Sequence, residues 1–102
     1  WGKWYLNFTN VDGFRLDAVK HISTQFMSQW MEKIREEKDI KCVGEYWNRD
    51  MESLKWYIYK TNSTIPLFDV PLHYNFYNAS NCGEFFDMRT ILSNTLLKVY
   101  NT

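Results

Sequence analysis

The stretch Val11-Asp12-Gly13-Phe14-Arg15-Leu16-Asp17-Ala18-Val19-Lys20-His21-Ile22 decides how this chain is read. Phe14 and Leu16 alternate with Gly13, Arg15 and Asp17, and a period of two predicts a strand over 11–16 with one apolar and one charged face. Side chains two residues apart share a face, so Arg15 and Asp17 stand together. Downstream, from Ser23 to Lys38, Phe26, Met27, Trp30, Met31 and Ile34 recur at helical spacing while Lys33, Glu36 and Glu37 fall elsewhere. That is an amphipathic helix covering a core. Lys41 to Tyr46, with Cys42, Val43 and Gly44 inside it, is too short for a helix between its neighbours and reads as a second, buried strand ending at Glu45.

Further along, Asp50 can cap a helix that carries Leu54, Tyr57 and Ile58, pairs Glu52 with Lys55 and fades near Thr61. Leu67 to Val70, bracketed by Pro66 and Pro71, suits a short third strand with His73 at its C-terminal side. A polar loop follows, and Met88 to Leu97 reads as a third helix. Strands alternating with helices imply right-handed crossovers and a parallel sheet. Glu45 follows Asp17 at the same interval at which His73 follows Glu45, so the repeat is a βα unit. An eight-unit barrel of about 250 residues spends about 31 on each unit. The expected fold class is therefore α/β, an incomplete (β/α)8 TIM-barrel fragment with about three parallel strands and alternating helices. No Gly-rich turn of the dinucleotide type follows any strand.

Composition narrows the function. The 102 residues carry 12 basic and 12 acidic side chains, and a neutral balance argues against a nucleic-acid partner. No apolar run approaches the roughly 20 residues of a spanning helix, which argues against membrane insertion. The chain opens on Trp1 without a leader and closes on Thr102 without a C-terminal signature, so residues 1–102 are expected to be part of the barrel domain of a longer chain. Whether that parent is secreted or cytoplasmic stays open. Cys42 and Cys82 show no disulfide or metal spacing and read as free thiols.

Barrel active sites are built where the parallel strands end, and here those ends carry Arg15, Asp17, Glu45 and His73. Two carboxylates on adjacent strands suit glycoside hydrolysis, in which one ionised carboxylate meets the anomeric carbon and one protonated acid meets the leaving oxygen. Retaining enzymes hold the two about 5 to 5.5 Å apart, and strands spaced about 4.8 Å apart supply that separation. Arg15 is positioned to keep Asp17 ionised. The same residues also suit a structural ion pair beside a solvated Glu45. The pattern marks a site and names no substrate.

The residues from Val11 to Ile22 resemble the fourth-strand motif of the α-amylase family, glycoside hydrolase family 13, and Val43-Gly44-Glu45-Tyr46-Trp47 resembles its fifth-strand motif. Phe68 to Phe76 is similar to the sixth-strand segment of the liquefying bacterial members, and Trp1 to Tyr5 to the helix before the fourth strand. The resemblance implies Asp17 as nucleophile, Glu45 as acid/base and Arg15 orienting Asp17. It implies Lys20, His21, Tyr46 and Trp47 at sugar subsites on the leaving-group side, with the main-chain oxygen of His21 ligating Ca2+. The implied activity is retaining hydrolysis of internal α-1,4-glucosidic bonds in starch, glycogen and related glucans, by a monomeric parent with an α-glucan as its partner. The alternatives are a cyclodextrin glucanotransferase-like member or an inactive glucan-binding fragment. The family's third carboxylate, on its seventh strand, and most of its calcium ligands have no counterpart in the 102 residues. On their own, these residues are expected to be inactive.

Overall fold

The computed structural model describes residues 1–100. Helix α1 (Gly2–Thr9) leads into strand β1 (Gly13–Leu16), and a 3₁₀ turn (Val19–His21) leads into helix α2 (Thr24–Glu37). Strand β2 (Lys41–Gly44) and helix α3 (Met51–Lys60) follow, then α4 (Val70–Cys82), two further 3₁₀ turns and a short α5 (Leu96–Tyr100). The two strands pair in parallel, with Gly13 opposite Lys41 and Leu16 opposite Gly44. Phe14 and Leu16 pack on the core while Gly13 and Arg15 face outward, as a period of two requires.

Local chemistry explains the elements. Asn10 ends α1 in the left-handed region, φ 52°, where its N–H donates to the Leu6 carbonyl; Asn is among the few residues that visit this region readily. The Ser23 hydroxyl accepts from the Phe26 N–H and starts α2. Met27, Met31 and Ile34 recur on one face of α2 and are buried. Gly2 lets α1 lie tight on α2, since a Cβ there would come within 2.6 Å of Ile34 Cδ1. Of the expected apolar stripe, Ile34 is fully enclosed and Trp30 meets Phe14 edge-on at 5.6 Å, whereas Phe26 stays exposed. The Asp50 carboxylate accepts from the Ser53 N–H to cap α3, and Lys55 pairs with Glu52 at 3.0 Å, both as read from the sequence. The Ser53 hydroxyl and N–H hold the Asp50 carboxyl below the ordinary carboxylate range.

Three sequence expectations are corrected. The third strand reduces to one parallel bridge, in which Gly44 donates to the Pro66 carbonyl at 2.7 Å and accepts from the Phe68 N–H at 3.1 Å. The sheet thus has two strands and one bridging residue, Leu67. The ladder stops because Asp69 turns the chain into a helix: its side chain accepts from the Leu72 N–H, and Pro71 sits in the first turn, where a missing N–H costs nothing. Second, the expected polar loop is α4, and His73 lies in its first turn rather than at a strand end. Third, the expected helix over 88–97 is a 3₁₀ turn (Met88–Thr90) and a separate α5, broken where Asn94 adopts φ 53°.

The larger apolar cluster gathers Leu16, Val19, Met31, Ile34, Ile40 and Tyr57 beneath the sheet, and a smaller one joins Met51, Leu54 and Leu96. The whole is elongated, 51 by 26 by 26 Å, with a radius of gyration of 16.1 Å, against about 13 Å for a compact chain of 100 residues. Among the described residues no helix is long and apolar enough to cross a membrane. Gly44 is a tight point of the sheet: a Cβ there would meet Leu67 Cδ2 at 3.0 Å and Ile65 Cγ2 at 3.2 Å. Gly44→Ala in the full-length protein should therefore cost about 1–3 kcal/mol, read as a lowered Tm; an unchanged Tm would show that the Leu67 bridge yields freely.

Candidate active site

The register brings two carboxylates together. Leu16 and Gly44 are the last paired residues, so Asp17 and Glu45 are the next ones out on neighbouring strands, at the same end of the sheet. The Glu45 N–H donates to the Leu16 carbonyl at 2.8 Å and extends the ladder by one bond. In a regular parallel ladder the Ala18 N–H would then donate to the Glu45 carbonyl. Instead the Val19 N–H takes that carbonyl, at 3.1 Å, and Ala18 turns left-handed with φ 49° and ψ 42°. The freed Ala18 N–H donates to Glu45 Oε2 at 2.8 Å.

Arg15 Nη2 lies 3.1 Å from Asp17 Oδ1, and the two side chains are 56% and 76% exposed. A pair this open to solvent is not the buried ion pair that would hold a sheet together. Glu45 is half-buried. Lys20 Nζ reaches across to donate to the Trp47 carbonyl at 2.9 Å, tying the turn after β1 to the segment after β2. His21 is exposed at the end of the same turn. Tyr46 turns toward the core and packs on Tyr57, whose phenol is pushed up to about 12, chiefly by burial.

Trp47 stands at the rim with its ring 5.1 Å from that of His73 and 6.1 Å from that of Tyr74, while the Arg49 guanidinium lies 4.2 Å over Tyr74. His73 thus stands beside the Trp47 rim by way of α4. The sequence pointed to Trp47 and His73 separately, but no spacing signalled Tyr74, Arg49 or the Ala18 N–H. Their roles come from the turn of α4 and the backbone after Asp17.

No protein-family model matches the chain. Over 100 residues it is 56% identical to the α-amylase of Geobacillus stearothermophilus, a match covering 96% of this chain and 18% of that one. Over 99 residues it is 48% identical to the α-amylase of Bacillus licheniformis, covering 95% of this chain and 19% of that one. The chain belongs to the α-amylase family. Among solved structures, an α-amylase from Geobacillus thermoleovorans complexed with acarbose matches 86% of this chain and 23% of its own, with a TM-score of 0.64 at 24% identity. That likeness concerns the fold: two parallel strands and their helices correspond to part of an α-amylase barrel. The chain spans about a fifth of the length of the α-amylases it matches.

For the calcium expected of an α-amylase, the fit is partial. Among the described residues no group of three or more His, Cys, Asp or Glu side chains is arranged to hold a metal ion. The His21 carbonyl accepts no hydrogen bond from any described residue, so this hard oxygen is free for a cation. It is one ligand of the six to eight that calcium takes.

The exposure of the Arg15–Asp17 pair separates structural from chemical roles. In the 102-residue chain Arg15→Gln should change the unfolding free energy by less than about 1 kcal/mol, as measured by denaturant titration. A loss above about 3 kcal/mol would mark the pair as a structural element.

Proposed function

We propose that this chain carries the nucleophile and the acid/base of an enzyme that hydrolyses internal α-1,4-glucosidic bonds in starch-like glucans with retention, within the barrel domain of a longer chain. The observation that carries the reading is the juxtaposition of Asp17 and Glu45 past the last paired residues of two adjacent parallel strands. Neighbouring strands lie about 4.8 Å apart, close to the carboxyl separation of retaining enzymes and short of the roughly 6.5 to 9.5 Å that inverting enzymes need to seat a water.

In this mechanism Asp17, with its Oδ1 3.1 Å from the Arg15 guanidinium, attacks the anomeric carbon while Glu45 protonates the departing oxygen. The bond to the leaving sugar breaks as the bond to Asp17 forms. Glu45, now a carboxylate, takes a proton from water, which attacks the same carbon and frees Asp17. Lys20 and Trp47 lie on the leaving-group side, and the half-exposed Trp47 face offers a flat apolar surface to a glucose ring. Calcium bound at the His21 carbonyl would act as a structural brace, with its remaining oxygens coming from beyond the described residues.

Two measurements test this in the full-length enzyme. Asp17→Asn and Glu45→Gln should each lower kcat on soluble starch by at least about 100-fold with folding preserved by circular dichroism; a loss under tenfold in either would sink the assignment. Proton NMR of the first-formed sugar should show the α-anomer. Initial appearance of the β-anomer would refute the paired roles.

A further inference from the structure

The backbone after Asp17 departs from what the sheet requires, and the departure is confined to one residue. Ala18 is a non-glycine residue in the left-handed region, φ 49° and ψ 42°, a conformation that costs an L-residue about 1–2 kcal/mol. The ladder slips by one residue there, because Val19 rather than Ala18 donates to the Glu45 carbonyl. Such a bulge leaves one N–H unpaired and is a known way of re-aiming a group beside a site. Here the unpaired N–H meets the Glu45 carboxylate, 2.8 Å from Oε2. Strain at one residue thus coincides with a bond to one side chain.

We propose that Ala18 is a positioning residue for Glu45: its left-handed turn aims a backbone N–H that fixes Oε2 and leaves Oε1 to exchange the proton with the leaving oxygen. The inference rests on the acid/base reading of Glu45. A main-chain donor has no rotamers of its own, so it restrains the carboxylate more tightly than a side chain would. It also ties Glu45 to the residue after Asp17, so the two carboxylates cannot drift apart independently.

The test replaces Ala18 in the full-length enzyme with lactate, its α-hydroxy-acid analogue. The ester keeps the methyl group and the chain length, puts an oxygen in place of the N–H that donates to Glu45 Oε2, and makes the Asp17 carbonyl a weaker acceptor. Each variant is assayed by kcat/KM on a linear maltooligosaccharide and on the matching α-glycosyl fluoride. With the fluoride, the Asp17–carbon bond forms as the carbon–fluorine bond breaks, and fluoride leaves with its electron pair, so this step needs no proton from Glu45. The ester should lose about 10- to 100-fold on the oligosaccharide, the range of one hydrogen bond to a charged group, and less than about threefold on the fluoride. Ala18→Gly, which keeps the N–H and relieves the strain, should keep the wild-type ratio between the two substrates. Equal losses on both substrates would indicate a purely structural role and overturn the proposal, as would an ester that tracks wild type on both or a glycine variant that behaves like the ester. Glu45→Gln run alongside separates the two readings. If it spares the oligosaccharide, the acid/base assignment itself fails; if it loses the oligosaccharide while the ester does not, only the role of Ala18 fails.

Discussion

Parallel pairing of Gly13–Leu16 with Lys41–Gly44 is the constraint on which the rest of the molecule depends. Parallel strands cannot be joined by a tight turn, so the chain must cross over through a helix and return in the same direction. Thr24–Glu37 is that helix, and its buried Met27, Met31 and Ile34 bind it to the sheet it has just left. Because both strands run the same way, whatever follows each of them emerges at one end. Asp17 and Glu45 are neighbours for this reason, although neither side chain belongs to the apolar core beneath the strands. A slip of one residue in the register would turn Glu45 to the opposite face from Asp17 and dismantle the site without removing an atom.

Much of this was legible in the sequence because the signals were periodic. Alternation around Phe14 and Leu16, helical spacing from Met27 to Ile34 and the cap at Asp50 each have one dominant reading, and each recurs in the structure. The segment from Pro66 to Pro71 did not, because its signals compete. Two prolines bracket an apolar run as they would an edge strand, yet Pro71 two residues after Asp69 is equally a helix start, and the cap on Leu72 decides for the helix. The run from Val70 to Cys82 mixes Asn, Ser and aromatics without a clear apolar face, so its helix came from its cap and its neighbours rather than from periodicity. The bond from Ala18 to Glu45 had no sequence signal, since alanine carries no preference for the left-handed region and a backbone donor leaves no trace in composition.

The distribution of apolar surface follows from the elongated shape. Trp1, Trp4 and Phe8 on the first helix are largely exposed, stacked as Trp1 on Tyr5 at 5.0 Å and Trp4 on Phe8 at 5.5 Å. Stacking at four-residue spacing lets the rings shield one another where none of the described elements covers them. Inside, by contrast, Tyr57, Met31 and Ile34 are closed off almost completely. The packing density that fixes the carboxylates is thus concentrated beneath the two strands, and the periphery contributes little to it.

Asp69 has one more consequence. It accepts the Leu72 N–H through Oδ1 and the Leu97 N–H, at 2.8 Å, through Oδ2, so a single carboxylate terminates two helices far apart in the chain. Without that carboxylate the start of α4 would lose its side-chain cap, and α5 would keep only the bond from the Lys98 N–H to Thr95 Oγ1 at 3.1 Å. The region carrying His73 and Tyr74 beside Trp47 is thereby tied through one side chain to the turn at Leu96–Tyr100, so local opening of either would be felt at a shared anchor. Loss of that one side chain would loosen the aromatic rim of the site from a distance, with no change at the carboxylates themselves.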